Sequence, residues 1–305
     1  MILKQLVYLV ALAREQHFGR AAEACAISQP TLSAAIRQLE EELGITIVER
    51  GQRFRGFTPE GRSILDHARR VLSDCDALRQ EAGALRGELA GRLRLGVIPT
   101  ALPVVASLTS LFRESHPAVA IVVQSLTSVE IQRRIDAFEL DGGITYLDFE
   151  PLDRVRKVPL YREDYVLLCP DDGRFGRDRI SVTWREAADL PLCLLTPDMQ
   201  NRRIVDAMFR SVGCVPRVEV ETNAISNLWA HAGVGAWASV VPRLLVSQYG
   251  APPGARALTL TEPHGSQRVG AIIPDRAPAS PLSTAFHAAA EKAGMTVLSE
   301  HQGRS

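Results

Sequence analysis

The pattern of hydrophobic and polar positions changes near residue 90. Before that point apolar residues recur every three or four positions, as in the run from Leu3 to Ala13, which predicts amphipathic helices. From Gly91 onward, alternating runs such as residues 93–97 predict short strands, and helical stretches separate them. The sequence therefore predicts a helical front and an α/β back, with parallel strands joined by right-handed crossovers.

A helix-turn-helix is predicted in the front part. An Ala-rich helix over residues 18–25 is followed by a tight connection and by Ser28, an N-cap residue with Pro30 in the first turn after it. Gly44 ends this second helix, and residues 45–57 predict two short strands around an Arg-rich turn. Two helices joined by a short turn, with a two-stranded wing after them, are typical of DNA-binding domains.

The second helix opens with short hydroxyl and amide side chains, which can reach base edges in the major groove, while arginines can contact phosphates. The predicted DNA-binding residues are Ser28, Gln29, Pro30, Thr31, Ser33, Arg37, Arg50, Arg53 and Arg55. A small helical bundle with solvated arginines is the alternative interpretation.

A heptad pattern follows Pro59. Eight small or apolar residues from Ile64 to Leu89 are spaced by alternating steps of four and three residues. About 30 residues at about 1.5 Å each would make a rod of about 45 Å, with an apolar stripe suited to a partner helix. We predict a linker helix that forms a homodimer. A connector that packs on its own domain is the alternative.

Composition limits which functions and cellular locations the sequence favours. The 305 residues include 35 Lys and Arg and 35 Asp and Glu, so any case for nucleic-acid binding rests on local features. No run approaches the roughly 18 apolar residues that span a membrane, and no basic leader or cleavage site is present. A cytoplasmic location without a membrane partner is expected. The five cysteines, with no C-x-x-C spacing, favour free thiols over disulfides or structural zinc.

The chain resembles the LysR-type transcriptional regulators over essentially its whole length. The most specific matches lie in segments 3–6, 17–23, 28–33, 36–40 and 58–61. The resemblance implies an α+β multi-domain fold: a winged helix-turn-helix, a long linker helix, and a two-lobed α/β effector domain like a periplasmic binding protein. The implied domains are residues 1–58, 59–90 and 91–305, with one lobe over 91–161 and 266–298 and the other over 162–265. Ala34 and Ala35 depart from the polar residues common at those positions, which affects base contacts there.

The resemblance also implies control of DNA affinity or DNA bending by a small anionic, carboxylate-like metabolite bound between the lobes. Hydroxyl groups and helix N-termini can hold such an anion. Carried over residue by residue, the effector-binding residues are Thr100, Ala101, Thr127, Ser128, Thr145, Thr196, Asn201 and Asn223. The alternative is that these hydroxyls only cap their helices.

The implied partners are double-stranded promoter DNA, a second copy that pairs through the linker helix, a homotetramer built from such dimers, and RNA polymerase. No cofactor and no metal ion are expected.

The sequence also bears on two other classes of function, an enzyme and a redox sensor. Gly233 and Gly235 fit a G-x-G-x-x-A pattern, but a predicted helix precedes them and a strand follows, the reverse of a dinucleotide site. The seven His residues have no identifiable nucleophile partner, so no enzymatic activity is predicted. A thiol-based redox-sensing regulator that uses Cys193 or Cys214 is the alternative function, because some members of the resembled family sense peroxide through cysteines there. Buried small hydrophobic side chains are the simpler interpretation of both residues.

Overall fold

The computed structural model describes residues 1–49, 54–148, 152–176 and 178–302, with side chains described as far as residue 294. Arg50 and Arg53, two of the predicted DNA contacts, lie outside the described residues. The chain divides into two units. One is formed by Met1–Leu89 with Asp136–Glu139, and the other by Ala90–Ile135 with Leu140–Ser305.

Three helices and a two-stranded ribbon form the body of the first unit. The helices are α1 (Leu3–Glu15), α2 (Phe18–Ala24) and α3 (Gln29–Leu43), and strands β1 (Val48–Glu49) and β2 (Gly56–Phe57) pair antiparallel. Apolar side chains from all three helices and from the start of the wing form its core, among them Leu9, Leu12, Ala21, Leu32, Ile36, Leu39 and Ile47.

The helix ends form where the sequence predicts them. The Ser28 hydroxyl accepts a hydrogen bond from the Thr31 N–H at 3.3 Å, and Gly44 ends α3 with a φ of 69°. The Thr58 hydroxyl accepts a hydrogen bond from the Gly61 N–H at 2.8 Å and so caps the start of α4 (Pro59–Ala84). The predicted helix-turn-helix and the two wing strands are therefore confirmed.

Helix α4 ends earlier than the heptad pattern predicts. It stops at Ala84, and the chain then turns back, because the Glu88 N–H donates to the Gly83 carbonyl at 2.9 Å. A Cβ atom at Gly83 would lie 2.7 Å from the Glu88 carbonyl oxygen, so this close approach needs glycine. The last two residues of the predicted heptad pattern therefore lie beyond the helix.

Parallel strands open the second unit and form its first lobe. Strands β3 (Gly91–Val97), β4 (Val119–Ser125) and β5 (Gly142–Tyr146) are parallel in the order β4-β3-β5, as the alternating pattern predicts. A 3-10 turn (Pro99–Ala101) and α5 (Leu102–Ser115) connect β3 to β4, and α6 (Ser128–Asp136) lies between β4 and β5. Because the chain goes from β3 to β4 on one side and then to β5 on the other, the strand order reverses at the carboxyl end of β3, the kind of position where α/β sheets bind ligands.

Strand β6 (Val155–Pro170) passes from the first lobe to the second. Its first part pairs antiparallel with β12 (Ser266–Pro274), which also pairs with β5. From Tyr165 onward it pairs instead with β10 (Ser239–Pro242) and β11 (Ala255–Thr261). Glu163 and Tyr165 therefore stand on either side of the point where the strand changes partners.

The second lobe adds β7 (Ser181–Thr183), parallel to β11, and a separate parallel pair, β8 (Leu192–Leu195) and β9 (Val218–Thr222). Its helices are α7 (Trp184–Ala188), α8 (Gln200–Ser211), α9 (Ile225–Val234) and α10 (Arg243–Tyr249). The final helix, α11 (Pro281–Gln302), packs on β6 and α5. Gly235 ends α9 with a φ of 87°, the left-handed conformation in which glycine commonly caps a helix.

Candidate functional site

The start of α3 displays the predicted DNA-binding residues. Its apolar face is buried in the core of the first unit, which leaves the opposite face open to a partner. Ser28, Gln29, Pro30 and Thr31 are exposed there, and Ser33 is half-buried. The hydroxyl oxygens of Ser28 and Thr31 lie 2.8 Å apart and share a hydrogen bond, so the two groups hold each other in place.

Arg37 and Arg55 are the described arginines among the predicted DNA contacts, and both are exposed. The Arg37 guanidinium donates to the Ser33 hydroxyl at 3.3 Å. The Glu40 carboxylate accepts hydrogen bonds from the backbone N–H groups of residues 47 and 48 at 2.8 and 3.0 Å, which ties β1 to α3. Hydroxyl, amide and cationic groups thus lie along one face of α3, where Gln29, Ser33 and Arg37 follow one another at steps of four residues.

A small cavity lies between the two lobes of the second unit. The turn after β3, the start of α6 and the end of β5 form one wall, and the end of β8 with the start of α8 forms the other. Its lining residues are Ile98, Pro99, Thr100, Thr127, Ser128, Tyr146, Leu195, Met199, Gln200 and Asn201. The cavity volume is about 10 Å³, which is about the room needed by one water molecule.

Two helices, of 9 and 12 residues, begin at this cavity and offer backbone N–H groups to an anion. At the first, the Thr127 hydroxyl accepts a hydrogen bond from the Glu130 N–H at 3.2 Å and so acts as a cap. The neighbouring Ser128 is only 2% exposed, and its hydroxyl has no hydrogen-bond partner. A buried polar group without a partner costs about 1–3 kcal/mol, so Ser128 is a group that a ligand can satisfy.

The Tyr146 hydroxyl joins the two lobes. It lies 3.1 Å from the Thr100 hydroxyl, accepts a hydrogen bond from the Asn201 amide at 3.2 Å, and donates to Glu163 Oε1 at 2.5 Å. Thr100 and Tyr146 belong to the first lobe, Asn201 to the second, and Glu163 to the strand that crosses between them. A polar network therefore spans the cleft.

Glu163 is the buried acid of this network. It is 1% exposed, its Oε1 also accepts a hydrogen bond from the Tyr165 hydroxyl at 3.0 Å, and its Oε2 has no partner. Burial raises the pKa of Glu163 to about 7. Hydrogen bonds with Tyr146, Tyr165, Thr100 and Asn201 lower the pKa, but by less than burial raises it. Burial also raises the pKa of both tyrosines well above the ordinary value. Glu163 is thus the group of the network that titrates near neutral pH.

Four of the eight predicted effector residues line the cavity: Thr100, Thr127, Ser128 and Asn201. Ala101 is fully buried next to Thr100 but is not part of the lining. Thr145 and Thr196 also lie outside the lining, although each carries a buried hydroxyl without a partner. Asn223 is exposed after β9 and is not part of the lining.

Sequence reasoning missed Tyr146, Gln200, Glu163 and Tyr165. Tyr146 ends the third parallel strand, and Gln200 directly precedes a predicted residue. The signal for Glu163 is the alternation of a strand, since residues 161, 163 and 165 share one face and the first and last are tyrosines. The sequence alone does not show which face of this strand is buried, so it does not show that Glu163 belongs to the site.

The two cysteines of the redox alternative lie outside the cavity lining. Cys193 is fully buried in β8, and burial raises the pKa of its thiol to about 11. Cys214 is half-buried, and its thiol donates to the Val212 carbonyl at 3.7 Å. A buried thiol with a raised pKa is a poor nucleophile, which disfavours Cys193 as a sensor.

Among the described residues, no cluster of His, Cys, Asp and Glu is arranged to hold a metal ion. No helix in the described part of the chain has both the length and the apolar character needed to cross a bilayer.

Two family models match this chain. Residues 3–62 match the bacterial regulatory helix-turn-helix protein of the lysR family, and residues 86–294 match the LysR substrate binding domain. The chain is 28% identical over 292 residues to the DNA-binding transcriptional dual regulator OxyR of Escherichia coli, covering 95% of this chain and 94% of that protein. It is 31% identical over 281 residues to a probable hydrogen peroxide-inducible genes activator of Streptomyces viridosporus, covering 87% and 89% of the two proteins.

Solved structures show the same fold. A full-length OxyR variant from Pseudomonas aeruginosa is 29% identical and superposes with a TM-score of 0.75 over 96% of this chain and 94% of that one. CbnR in complex with its target DNA is 21% identical and has a TM-score of 0.69, over 96% and 100% of the two chains. Because the two family models together cover almost the whole length, the chain belongs to the LysR family of transcriptional regulators.

Proposed function

We propose that the chain controls transcription in the cytoplasm by binding promoter DNA through α3 and the wing, with an effector in the cavity between the lobes, and that it catalyses no reaction. The exposed polar start of α3 supports the first part. Ser28, Gln29 and Thr31 reach base edges, whereas Arg37 and Arg55 contact phosphates. Pro30 and Ser33 complete the surface, and Arg50 and Arg53 belong to the same proposal from the sequence alone.

The effector is a small anion, in our proposal a carboxylate. Two helix N-termini and the uncharged donors of Thr100, Ser128, Gln200 and Asn201 support an anion, because each can donate a hydrogen bond to it. The cavity of about 10 Å³ is too small for a carboxylate group, so the lobes separate to admit it. That separation stretches the Tyr146–Asn201 hydrogen bond, which couples binding to the arrangement of the lobes.

The unpartnered hydroxyl of Ser128 is the observation that carries this assignment. A thermal-shift screen against small carboxylates tests it, since a bound ligand raises the midpoint by linkage. We expect a selective hit that is lost in Ser128→Ala and retained in Ser110→Ala, which removes an exposed hydroxyl from α5. A hit that survives Ser128→Ala would place the effector elsewhere.

Helix α4 provides the dimer contact in this proposal. Val71 and Leu78, on the predicted heptad pattern, are 40% and 71% exposed, so these apolar side chains are accessible to a partner helix. Two copies that pack these positions together would bring two DNA-binding units to two half-sites. Two such dimers form the proposed tetramer, and RNA polymerase is a further proposed partner. Leu78→Glu is expected to convert dimers to monomers in analytical ultracentrifugation, whereas Asp76→Glu, which keeps the charge, leaves the dimer intact.

A second candidate function is peroxide sensing, which the names of the OxyR and peroxide-inducible relatives favour. Cys214 is its better thiol, because Cys193 is fully buried. If this candidate is right, hydrogen peroxide changes DNA binding in the parent protein and not in Cys214→Ser. We expect instead that the carboxylate response persists in both Cys193→Ser and Cys214→Ser.

A further inference from the structure

A chain of hydrogen bonds leads from the crossing strand to the wall of the cavity. Glu163 contacts the Tyr146 hydroxyl at 2.5 Å, and that hydroxyl contacts the Thr100 hydroxyl at 3.1 Å. Thr100 is 2% exposed and lines the cavity. Each hydroxyl has one proton to donate, so the direction of the first bond fixes the direction of the second.

The hydrogen bonds between Glu163, Tyr146 and Thr100 can run in either of two donor-to-acceptor directions. When Glu163 is ionised it can only accept, so Tyr146 donates to it and Thr100 donates to Tyr146. The Thr100 hydroxyl then offers only lone pairs to the cavity. When Glu163 is protonated it can donate to Tyr146, which then donates to Thr100 and frees the Thr100 proton for a ligand. The Asn201 amide donates to Tyr146 in both cases, because the phenol oxygen can accept it either way.

We propose that Glu163, acting through Tyr146, sets the charge preference of the cavity, so that an anionic effector binds together with one proton. Protonated Glu163 presents a donor to the ligand, and it also removes a negative charge from the neighbourhood of an incoming anion. This inference rests on the proposed role of the cavity as the effector site. Glu163 is a positioning residue, since it acts on the ligand through Tyr146 and Thr100.

The proton balance is simple. One proton from solvent forms an O–H bond on the Glu163 carboxyl as the anion enters, and the same proton leaves when the anion dissociates. An anion near a buried carboxylate raises its pKa further, because like charges disfavour the ionised form. Anion affinity is therefore constant where Glu163 is already protonated and falls where it is ionised.

Few titratable groups face Glu163. They are Tyr146 from β5 and Tyr161 and Tyr165 from β6, and the pKa of each is raised by burial and by the Glu163 charge. Strand β12 places Gln267 opposite Glu163, and Asn201 of α8 also approaches it. Charged residues of the surrounding elements are exposed or bonded to other groups: Arg162, Asp164, Arg268, Arg202, Arg203 and Glu291. The uncharged or tyrosine neighbours leave Glu163 as the group that responds near neutral pH.

Formate and formamide are the matched probes, because they have similar size and differ in charge. Affinity is measured by calorimetry on the full chain between about pH 6 and about pH 8.5, where formate stays ionised. We expect formate affinity to fall about tenfold for each pH unit above about 7, with one proton taken up per formate bound. Formamide affinity stays nearly constant over the same range.

Three variants separate the possible causes. Glu163→Gln cannot titrate, and its amide can donate to Tyr146, so formate binding becomes independent of pH and remains as tight as in the parent protein below pH 7. Tyr146→Phe removes the hydrogen-bond path from Glu163 to Thr100, so the proton linkage falls to the part that comes from direct repulsion between the anion and the Glu163 carboxylate. Tyr165→Phe removes the other hydrogen bond to Glu163 and keeps the path to Thr100, so the linkage persists with its midpoint moved to higher pH.

Results that contradict these expectations overturn either the role of Glu163 alone or the proposed effector site as well. Formate affinity that is independent of pH in the parent protein overturns the role of Glu163 and leaves the effector site standing. A pH dependence that survives Glu163→Gln also overturns it, because the formate would then bind as its neutral acid. Absence of formate binding at every pH, or binding that survives Ser128→Ala, overturns the proposed effector site and this inference with it.

Discussion

The start of α3 and the cavity between the lobes carry the same kinds of side chain, hydroxyls and amides, in opposite surroundings. At α3 these groups are exposed and bond to residues within the same helix, as Ser28 does to Thr31. In the cavity they are buried and come from separate elements, as Thr100, Tyr146 and Asn201 do. The first arrangement leaves the hydroxyl and amide groups accessible to a macromolecule that binds at the surface. The second keeps polar groups away from water.

The largest effects are expected from Ala substitutions that remove a buried side chain near α3 or near the cavity, one region at a time. Ile36 lies on the buried face of α3, Ile131 lies on the buried face of α6, the helix that begins at the cavity, and both are at most 1% exposed. Replacing either by Ala is expected to cost about 2–5 kcal/mol of unfolding free energy in its own unit. Ile36→Ala should weaken DNA binding and leave the carboxylate-induced thermal shift intact, and Ile131→Ala should do the reverse. Equal loss of both activities in both variants would contradict separate sites.

The next largest effect is the pH dependence of stability at Glu163. Between an ordinary pKa of 4.5 in the unfolded chain and about 7 in the fold, the folded state holds a proton that the unfolded state has lost. Stability therefore falls as pH rises through this window, by an amount on the order of 3 kcal/mol. Chemical denaturation from acidic to neutral pH checks this, and Glu163→Gln should lack the fall.

Glu186 supplies the control of opposite sign. Hydrogen bonds from the Thr183 backbone and side chain and from Arg179 lower its pKa, so its contribution is lost as pH falls through that lowered value. If Glu186→Gln and Glu163→Gln change the pH profile in the same direction, the assignment of Glu163 is wrong.

A third pair of variants tests whether α3 contacts the bases and the wing contacts the phosphates of DNA. Gln29→Ala is expected to cost about 1–3 kcal/mol on the preferred site and little on random DNA, because a base contact is lost. Arg55→Ala should weaken both alike and reduce the salt dependence of log affinity by about one unit, because a phosphate contact is lost. Fluorescence anisotropy at several salt concentrations measures both quantities. Equal losses on specific and random DNA for Gln29→Ala would remove Gln29 from base reading.

The smallest predicted effect is a gain of stability. Ser128→Ala removes a buried hydroxyl that has no partner, so the unliganded protein should become more stable by about 1 kcal/mol. Ser110→Ala, at an exposed position, should change stability by less than about 0.5 kcal/mol. A loss of stability in Ser128→Ala would mean that the hydroxyl already has a structural role.

The two regions also differ in how far the sequence predicts them. Ser28, Pro30 and Gly44 act through neighbours within a few residues, so the caps and the ends of α3 follow from local chemistry. The cavity depends on the order of strands. The family resemblance pointed to Thr100 and Ser128, which both line the cavity, but it could not reveal that Glu163 meets Tyr146 from another strand. Likewise the heptad spacing could not show that the chain turns back over Gly83.

Elements without strong local signals were missed as well. The short β7, the strand β11 and the helix α10 were not predicted, and each depends on neighbours that are distant in sequence. Strand β11 pairs with β6 across about 90 residues of chain, a contact that no local pattern encodes. Non-local contacts are thus the common reason why these three elements and the contact between Glu163 and Tyr146 escaped prediction.

In the proposed function, a ligand in the cavity changes how the protein binds DNA. The most direct measurement is the affinity for a promoter fragment selected from genomic DNA, with and without the carboxylate found by thermal shift, for the parent protein and Ser128→Ala. We predict that the carboxylate changes DNA affinity in the parent protein and has no effect in Ser128→Ala, while both bind DNA equally without it. An unchanged carboxylate effect in Ser128→Ala would contradict the claim.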